Sequence, residues 1–349
     1  MNTATLDALA RSLTGPFAFC GIAVRQGADA HFAIGTGDGI AADPDTLFRV
    51  ASISKMVTAA AFEVAATGAG LARPYDVPAA EVLGFDLTHP QWPATPITLG
   101  MLMTHTSGLW DEGGYLFDGP IPVQFDPDAM FSPEEPGTFF RYCNLGYILL
   151  AAAAEKLSGR RFDEIVAKDV LGPHDIAGGL NWVGVPPPAM RNTLPTYRHD
   201  GQTFAPQIDA PPVHPNLTSC QLGLDTWRFS PQGGLRLSLR GMLTLADVLI
   251  SANDTPLWQT ADGPGDYLDG LMQDYGAGLQ FLPDPPFYPR PLTGHFANAY
   301  GFKGGVWRDG EADISFAYAL NGLPLGDEDD ALCNVEHQIF AVIAAMKDR

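Results

Sequence analysis

Strand-forming sequence sits at the two ends of this chain, and helix-forming sequence fills the space between. Near the start, residues 17–24 are rich in aromatic and aliphatic side chains, Gln26-Gly27-Ala28 reads as a turn, and residues 31–34 read as a second strand. Near the end, residues 302–307 and 314–320 face each other across an Asp309-Gly310 turn. An amphipathic helix then closes the chain over about 335–346. Between these ends, apolar residues recur at helical spacing over residues 54–68, 99–103, 145–157, 162–170 and 239–250. Strands so far apart in sequence are satisfied most simply by one shared sheet. The expected class is therefore α/β, in the α+β sense: a central antiparallel sheet flanked by helices, plus a mainly helical region. Residues 1–55 and 290–349 are assigned to the sheet region and 56–289 to the helical region, as one compact unit with a cleft between the two parts.

Two stretches break the helical pattern. Residues 110–137 and 183–223 are dense in Pro, Gly and aromatic side chains. Loops of this length inside a compact domain usually wall or cover a pocket. In the first, Trp110, Asp111, Tyr115 and Phe117 are candidate pocket walls, with Trp227 just past the second.

Charge excludes some partners. Asp and Glu number 40 against 20 Lys and Arg, a formal net charge of -20, and no basic run interrupts it. Such a surface repels phosphate backbones and anionic membranes, so neither nucleic acid nor membrane is an expected partner. No apolar stretch reaches the length of about 18 residues that a membrane span requires. The first residues carry no basic and apolar leader pattern, which points to a cytoplasmic protein. Cys20, Cys143, Cys220 and Cys333 are far apart and read as reduced thiols. Without a Cys/His ligand spacing or an HExxH pair, no metal and no other cofactor is expected. The segment Gly35-Thr36-Gly37-Asp38-Gly39 is not a nucleotide-binding fingerprint, and no GxSxG elbow occurs.

Chemistry concentrates in two short segments. In Phe48-Arg49-Val50-Ala51-Ser52-Ile53-Ser54-Lys55, a serine and a lysine stand at i and i+3 at a helix start. That spacing places both on one helical face. A serine hydroxyl needs an adjacent base to act as a nucleophile, and a desolvated lysine can be one. The helix start also directs backbone N–H groups at a developing oxyanion. Alone, the pair is equally a capping serine with a solvated lysine. In the second segment, Tyr142-Cys143-Asn144 enters a helix. A phenol near an ammonium can ionise below its ordinary value and serve as general base, and an asparagine amide can orient both a lysine and a substrate carbonyl. By itself this segment is equally a capping asparagine and a core tyrosine.

Taken in order, these segments resemble a known family. Residues 48–55 with the Ala-rich helix that follows, the run Leu102-Met103-Thr104-His105-Thr106-Ser107-Gly108-Leu109, Tyr142-Cys143-Asn144-Leu145-Gly146-Tyr147 and Ser230-Pro231-Gln232-Gly233-Gly234-Leu235 are similar to the serine β-lactamase-related superfamily. The resemblance is to its class C β-lactamase-like branch, which includes family VIII carboxylesterases, D-aminopeptidases and DD-peptidases, and it covers residues 17–346. It implies the β-lactamase/DD-peptidase-like fold, with Ser52, Lys55 and Tyr142 as catalytic residues. Asn144 and His295 would bind substrate, and the backbone N–H groups of Ser52 and Asn298 would hold the oxyanion. It also implies a third motif on a strand opposite Ser52, for which Gly294-His295-Phe296-Ala297 is the best match and Lys303-Gly304-Gly305 the rival. Phe296 and Ala297 depart from the family pattern there and remove a hydroxyl that helps bind a substrate carboxylate. Losing a charge-assisted hydrogen bond of that kind costs about 1.5–3 kcal/mol.

The expected function is hydrolysis of a small-molecule ester or amide through an acyl-enzyme, esterase-like and with neutral substrates favoured. A β-lactamase or a D-amino-acid peptidase is the alternative, and a non-catalytic binding protein on the same fold is a further one. His105 is read as a buried, hydrogen-bonded structural residue. The oligomeric state is left open.

Overall fold

The computed structural model describes residues 3–13, 17–253, 255–324 and 331–346. The first strands are β1 (Phe19–Gln26), β2 (Asp29–Thr36) and the short β3 (Phe48–Arg49). The middle of the chain adds β4 (Gly178–Leu180), β5 (Thr196–His199), β6 (Phe204–Ile208) and β7 (Leu235–Leu237). The last third supplies β8 (Asp274–Gly276), β9 (Leu279–Leu282), β10 (Leu292–Ala299), β11 (Phe302–Asp309), β12 (Ile314–Asn321) and β13 (Leu323–Pro324).

Seven of these form one antiparallel sheet in the order β2-β1-β12-β11-β10-β9-β8. The pairing of β1 with β12, from Phe19↔Asn321 to Gln26↔Ile314, joins the two ends of the chain as the sequence led one to expect. The edge pair β8 and β9 comes from within the stretch read as helical. Its strands span three and four residues, too short to carry a period-2 signal.

Strand alternation sorts the sheet residues into two layers. Cys20, Ile22 and Val24 of β1, with Phe316, Tyr318 and Leu320 of β12, face the terminal helices Thr3–Ser12 and Asn334–Ala344. Their neighbours Phe19 and Ala23, with Ala317 and Ala319, face the helical region, where the small alanines allow close approach. That region is built around two helices packed together, Ser54–Gly68 and Asn144–Ser158, both Ala-rich and almost wholly buried. The helix Phe162–Ile165 widens into a π-helical turn over Val166–Leu171, and Leu239–Leu245 does so over Ala246–Ile250. The first long loop carries two short helices, Ile121–Gln124 and Pro127–Met130, and the second carries the β5–β6 hairpin.

One glycine fixes how the sheet edge meets the Ser54–Gly68 helix. Gly278, in the turn between β8 and β9, has φ +72°, and a Cβ there would lie 2.4 Å from the Lys55 carbonyl oxygen. Only glycine allows both that conformation and that approach. Among the described residues, no helix is long and apolar enough to cross a membrane, and no group of three or more His, Cys, Asp or Glu side chains is placed to hold a metal ion.

Candidate active site

Ser52 lies in a single 3₁₀ turn, Ala51–Ile53, immediately before the helix that begins at Ser54. Ala51 is held in the left-handed region at φ +45°, a conformation that costs an L-residue about 1–2 kcal/mol. Ser54 secures the turn: its Oγ donates to the Ala51 carbonyl at 2.6 Å and accepts from the Leu235 N–H at 2.9 Å. Thr58 donates to the Pro231 carbonyl at 2.8 Å. The Ser230–Leu235 segment is thereby tied along the start of the Ser54–Gly68 helix.

Lys55 is completely buried. Its Nζ donates to Ser52 Oγ at 3.3 Å, to Asn144 Oδ1 at 2.8 Å and to the Gln232 carbonyl at 2.9 Å. It also lies 4.6 Å from the centre of the Tyr142 ring. Burial pushes its ammonium down to about 7, against the opposing pull of the nearby Asp111 carboxylate. A substantial fraction of Lys55 is therefore a neutral amine at neutral pH. Tyr142 behaves differently. Burial raises its phenol well above its ordinary value, the opposite of the lowering its position beside an ammonium suggested, although the Ser52 hydroxyl is its hydrogen-bonding neighbour. The phenol is accordingly protonated at neutral pH, while the amine is partly neutral.

The sequence did not reveal how Asn144 is aimed. Asn144 is the first residue of its helix, and Cys143 before it provides no side-chain cap. The cap comes instead from Asp111, in the first long loop. Its carboxylate accepts from the Asn144 N–H at 2.9 Å, the Leu145 N–H at 3.2 Å and the Asn144 side-chain Nδ2 at 2.7 Å. With Nδ2 held in this way, Oδ1 must face Lys55. Asp111 is thus more than a wall: it is the residue that orients the amide. His105 also works from below, accepting the Cys143 N–H on Nδ1 at 3.1 Å, with its ring packed 4.5 Å from that of Tyr142.

Opposite Ser52 runs β10. Its pairing with β9 ends at Gly294, so residues 295–299 have β11 on one side only. Ser52, Tyr142, His295, Phe296 and Asn298 together line a cleft of about 330 Å³, with apolar Leu268, Leu271 and Met272 on its walls beside the polar Gln280, Lys303 and Glu336.

The resemblance places His295 as a cationic or hydrogen-bonding contact to substrate, and its burial and partners correct that expectation. It is 1% exposed, and burial, reinforced by Lys55, lowers its imidazole to about 3. Its Nδ1 faces the Phe296 carbonyl and must carry the proton, so Nε2 accepts from the Tyr275 hydroxyl at 3.0 Å. Both nitrogens are engaged within the protein, and the ring is a neutral wall. The Phe296 ring, which also lines the cleft, packs edge-to-face against Trp307 at 4.5 Å and Phe287 at 5.7 Å. The rival Lys303 lies 3.6 Å from Glu336 and donates to the Ala331 carbonyl at 3.4 Å, at the far end of the same cleft.

A buried amine, a serine and a phenol thus meet beside an open strand, the serine–lysine arrangement the sequence led one to look for. Residues 20–336 match the Beta-lactamase family model, and the chain belongs to that family. It is 30% identical over 144 residues to penicillin-binding protein 4 of Amycolatopsis lactamdurans, covering 39% of this chain and 36% of that protein. The chain thus spans well under half the length of the curated relatives it matches. Among solved structures it is similar to the D-amino acid amidase of Ochrobactrum anthropi SV3, with TM-score 0.73, 17% identity and 98% and 97% of the two chains covered. It is also similar to the β-lactamase/D-alanine carboxypeptidase of Yersinia pestis, with TM-score 0.72, 15% identity and 99% of each chain covered. These likenesses establish the β-lactamase/DD-peptidase fold.

Proposed function

We propose that the chain is a serine hydrolase that cleaves a small-molecule ester or amide through an acyl-enzyme on Ser52, with the esterase reaction favoured. The observation that carries this reading is the placement of the Lys55 amine. It is desolvated, brought to about 7 and held 3.3 Å from an Oγ that lines an open cleft. A structural lysine has no need of that combination.

In the proposed acylation, Ser52 Oγ attacks the carbonyl carbon and its proton passes to neutral Lys55. Tyr142 gives its phenolic proton to the departing oxygen or nitrogen and is reprotonated from Lys55. The charge balance at the amine is thus restored as the leaving group departs. The oxyanion is received by the backbone N–H groups of Ser52 and Asn298, and preorganised donors of this kind are worth about 2.7–4 kcal/mol in the transition state. Water then attacks the acyl carbon, losing its proton by the same relay, and Ser52 is released. An ester is favoured because its leaving group needs little protonation. An amide makes greater demands on the Tyr142 proton. The D-amino acid amidase likeness keeps amides within the proposed class.

The deciding experiment is stoichiometric labelling of Ser52 by a fluorophosphonate, read by intact mass, alongside turnover of p-nitrophenyl butyrate. Labelling that is abolished by Ser52→Ala supports the reading. An unlabelled wild-type protein without ester turnover sinks it and leaves a binding protein on a hydrolase fold.

A further inference from the structure

A second cavity, of about 300 Å³, shares no lining residue with the cleft just described, yet its wall is built from the same machinery. Arg49 precedes Ser52 by three residues. Gln232 contributes the carbonyl that holds Lys55, and Tyr300 follows Asn298 by two. Tyr115 also lines this cavity, close enough to feel Arg49 and Tyr300 as well as Asp111 and Cys143 of the cluster around Lys55.

The unusual occupant is Arg49. It is 8% exposed, and among the described residues no carboxylate lies within ion-pair distance of it. The other arginine of this wall, Arg236, is fully satisfied by Asp209, with contacts of 2.7 and 3.0 Å. Arg49 has only a long contact to Ser230 Oγ at 3.5 Å and the face of the Tyr300 ring 5.1 Å away, and its Nε has no acceptor at all. Burial and Arg236 push the guanidinium down to about 10, which still leaves it charged at neutral pH. A second donor on the same wall, Trp227 Nε1, is also buried and without an acceptor. A buried guanidinium without a counter-ion is strongly unfavourable, and a planar fork of donors matches a carboxylate. The hairpin turn that presents Tyr300 is itself fixed: Tyr300 and Gly301 have φ +57° and +80°, and a Cβ on Gly301 would fall 2.0 Å from the Tyr197 carbonyl.

We propose that this cavity is a carboxylate-binding subsite, in which Arg49 and Trp227 receive an anionic group on the acyl part of the substrate. The inference rests on the serine hydrolase reading and narrows it. The ester or amide cleaved is one whose acyl group ends in a second carboxylate, such as a half-ester or half-amide of a dicarboxylic acid. This replaces the expectation of a neutral substrate. Net charge predicted repulsion of anions, but the local balance at Arg49 is positive, and local charge governs binding at this distance.

The test compares mono-p-nitrophenyl glutarate with p-nitrophenyl butyrate on the full chain, with free glutarate and glutaramide as competitors. The wild type is expected to favour the glutarate ester at least tenfold in kcat/KM, and R49Q to reduce that preference at least tenfold. Glutarate is expected to inhibit wild-type turnover where glutaramide does not, a readout that needs no variant. If the wild type treats the two esters alike, or R49Q keeps the preference, the subsite is overturned and the hydrolase reading stands. If both esters are inert while a fluorophosphonate labels Ser52, protection of Ser52 by glutarate but not by glutaramide upholds the subsite, and equal or absent protection overturns it. An unlabelled, inactive wild type removes the hydrolase reading and this inference with it.

Discussion

Asp111 holds Asn144 by both its backbone and its side-chain amide, the latter at 2.7 Å, and so turns the amide oxygen toward Lys55. The contact links a loop carboxylate to a buried amine through one intermediary. It follows that Asp111→Ala frees the amide to rotate, removes the cap of the central helix and withdraws a negative charge near Lys55. Loss of a charged hydrogen bond is worth about 1.5–3 kcal/mol, so kcat/KM is expected to fall roughly ten- to a hundredfold. The melting temperature should drop with it, and Asp111→Asn should recover part of the stability but little of the rate. Steady-state kinetics and thermal unfolding on the same samples check both.

The activity should follow the neutral form of Lys55. With the amine pushed down to about 7, kcat/KM rises with pH through that region and levels off above it. Lys55→Met removes the limb together with nearly all turnover. A rate that falls as pH rises from 6 to 8 would contradict the assignment of Lys55 as base.

The same shift predicts a stability slope. Between about pH 7 and 10.5 the unfolded chain holds a proton on Lys55 that the folded chain has released. Stability therefore rises with pH in that window, by up to about 1.4 kcal/mol per unit from this group. Below 7 both states are protonated and the contribution is flat. Urea unfolding of the wild type against Lys55→Met isolates the term, which the variant lacks.

Gly278→Ala places a Cβ 2.4 Å from the Lys55 carbonyl in a backbone at φ +72°. Strain of that kind costs of order 1–3 kcal/mol, and here it also displaces the base. The expected outcome is a lower melting temperature together with a fall in kcat, measured side by side. The exposed Gly70, also at positive φ but with nothing within 4 Å, provides the control: its alanine variant should lose stability without the loss of rate.

His295 is expected to be silent in the pH profile. Both ring nitrogens are engaged and its imidazole is lowered to about 3. Replacing it with Phe leaves the buried Tyr275 hydroxyl without that acceptor, a penalty of about 1–3 kcal/mol. The variant should therefore melt earlier while the limb set by Lys55 keeps its position.

Much of this molecule could be read from the chain because its signals are local. The i, i+3 spacing of Ser52 and Lys55, the helical runs and the terminal hairpin all depend on neighbours in sequence. What stayed hidden depends on partners far away. Asp111 reaches Asn144 across 33 residues and looks like any loop acid. His295 resembles a cation until Tyr275 is seen beside it, and Arg49 is an ordinary strand residue until its lack of a counter-ion is visible. The β8–β9 pair was missed because strands of three and four residues hold too little pattern to be told from a loop.

The ladder that joins Phe19↔Asn321 has a consequence for how the protein is made. A nascent chain carries Ser52 and Lys55 from early in synthesis, but β1 has no inner neighbour until residue 321 has left the ribosome. Contacts so remote in sequence form late, and the strand that faces the serine settles only once β11 and β12 are in place. Ser52 and Lys55 are thus translated first and meet the strand that faces them last.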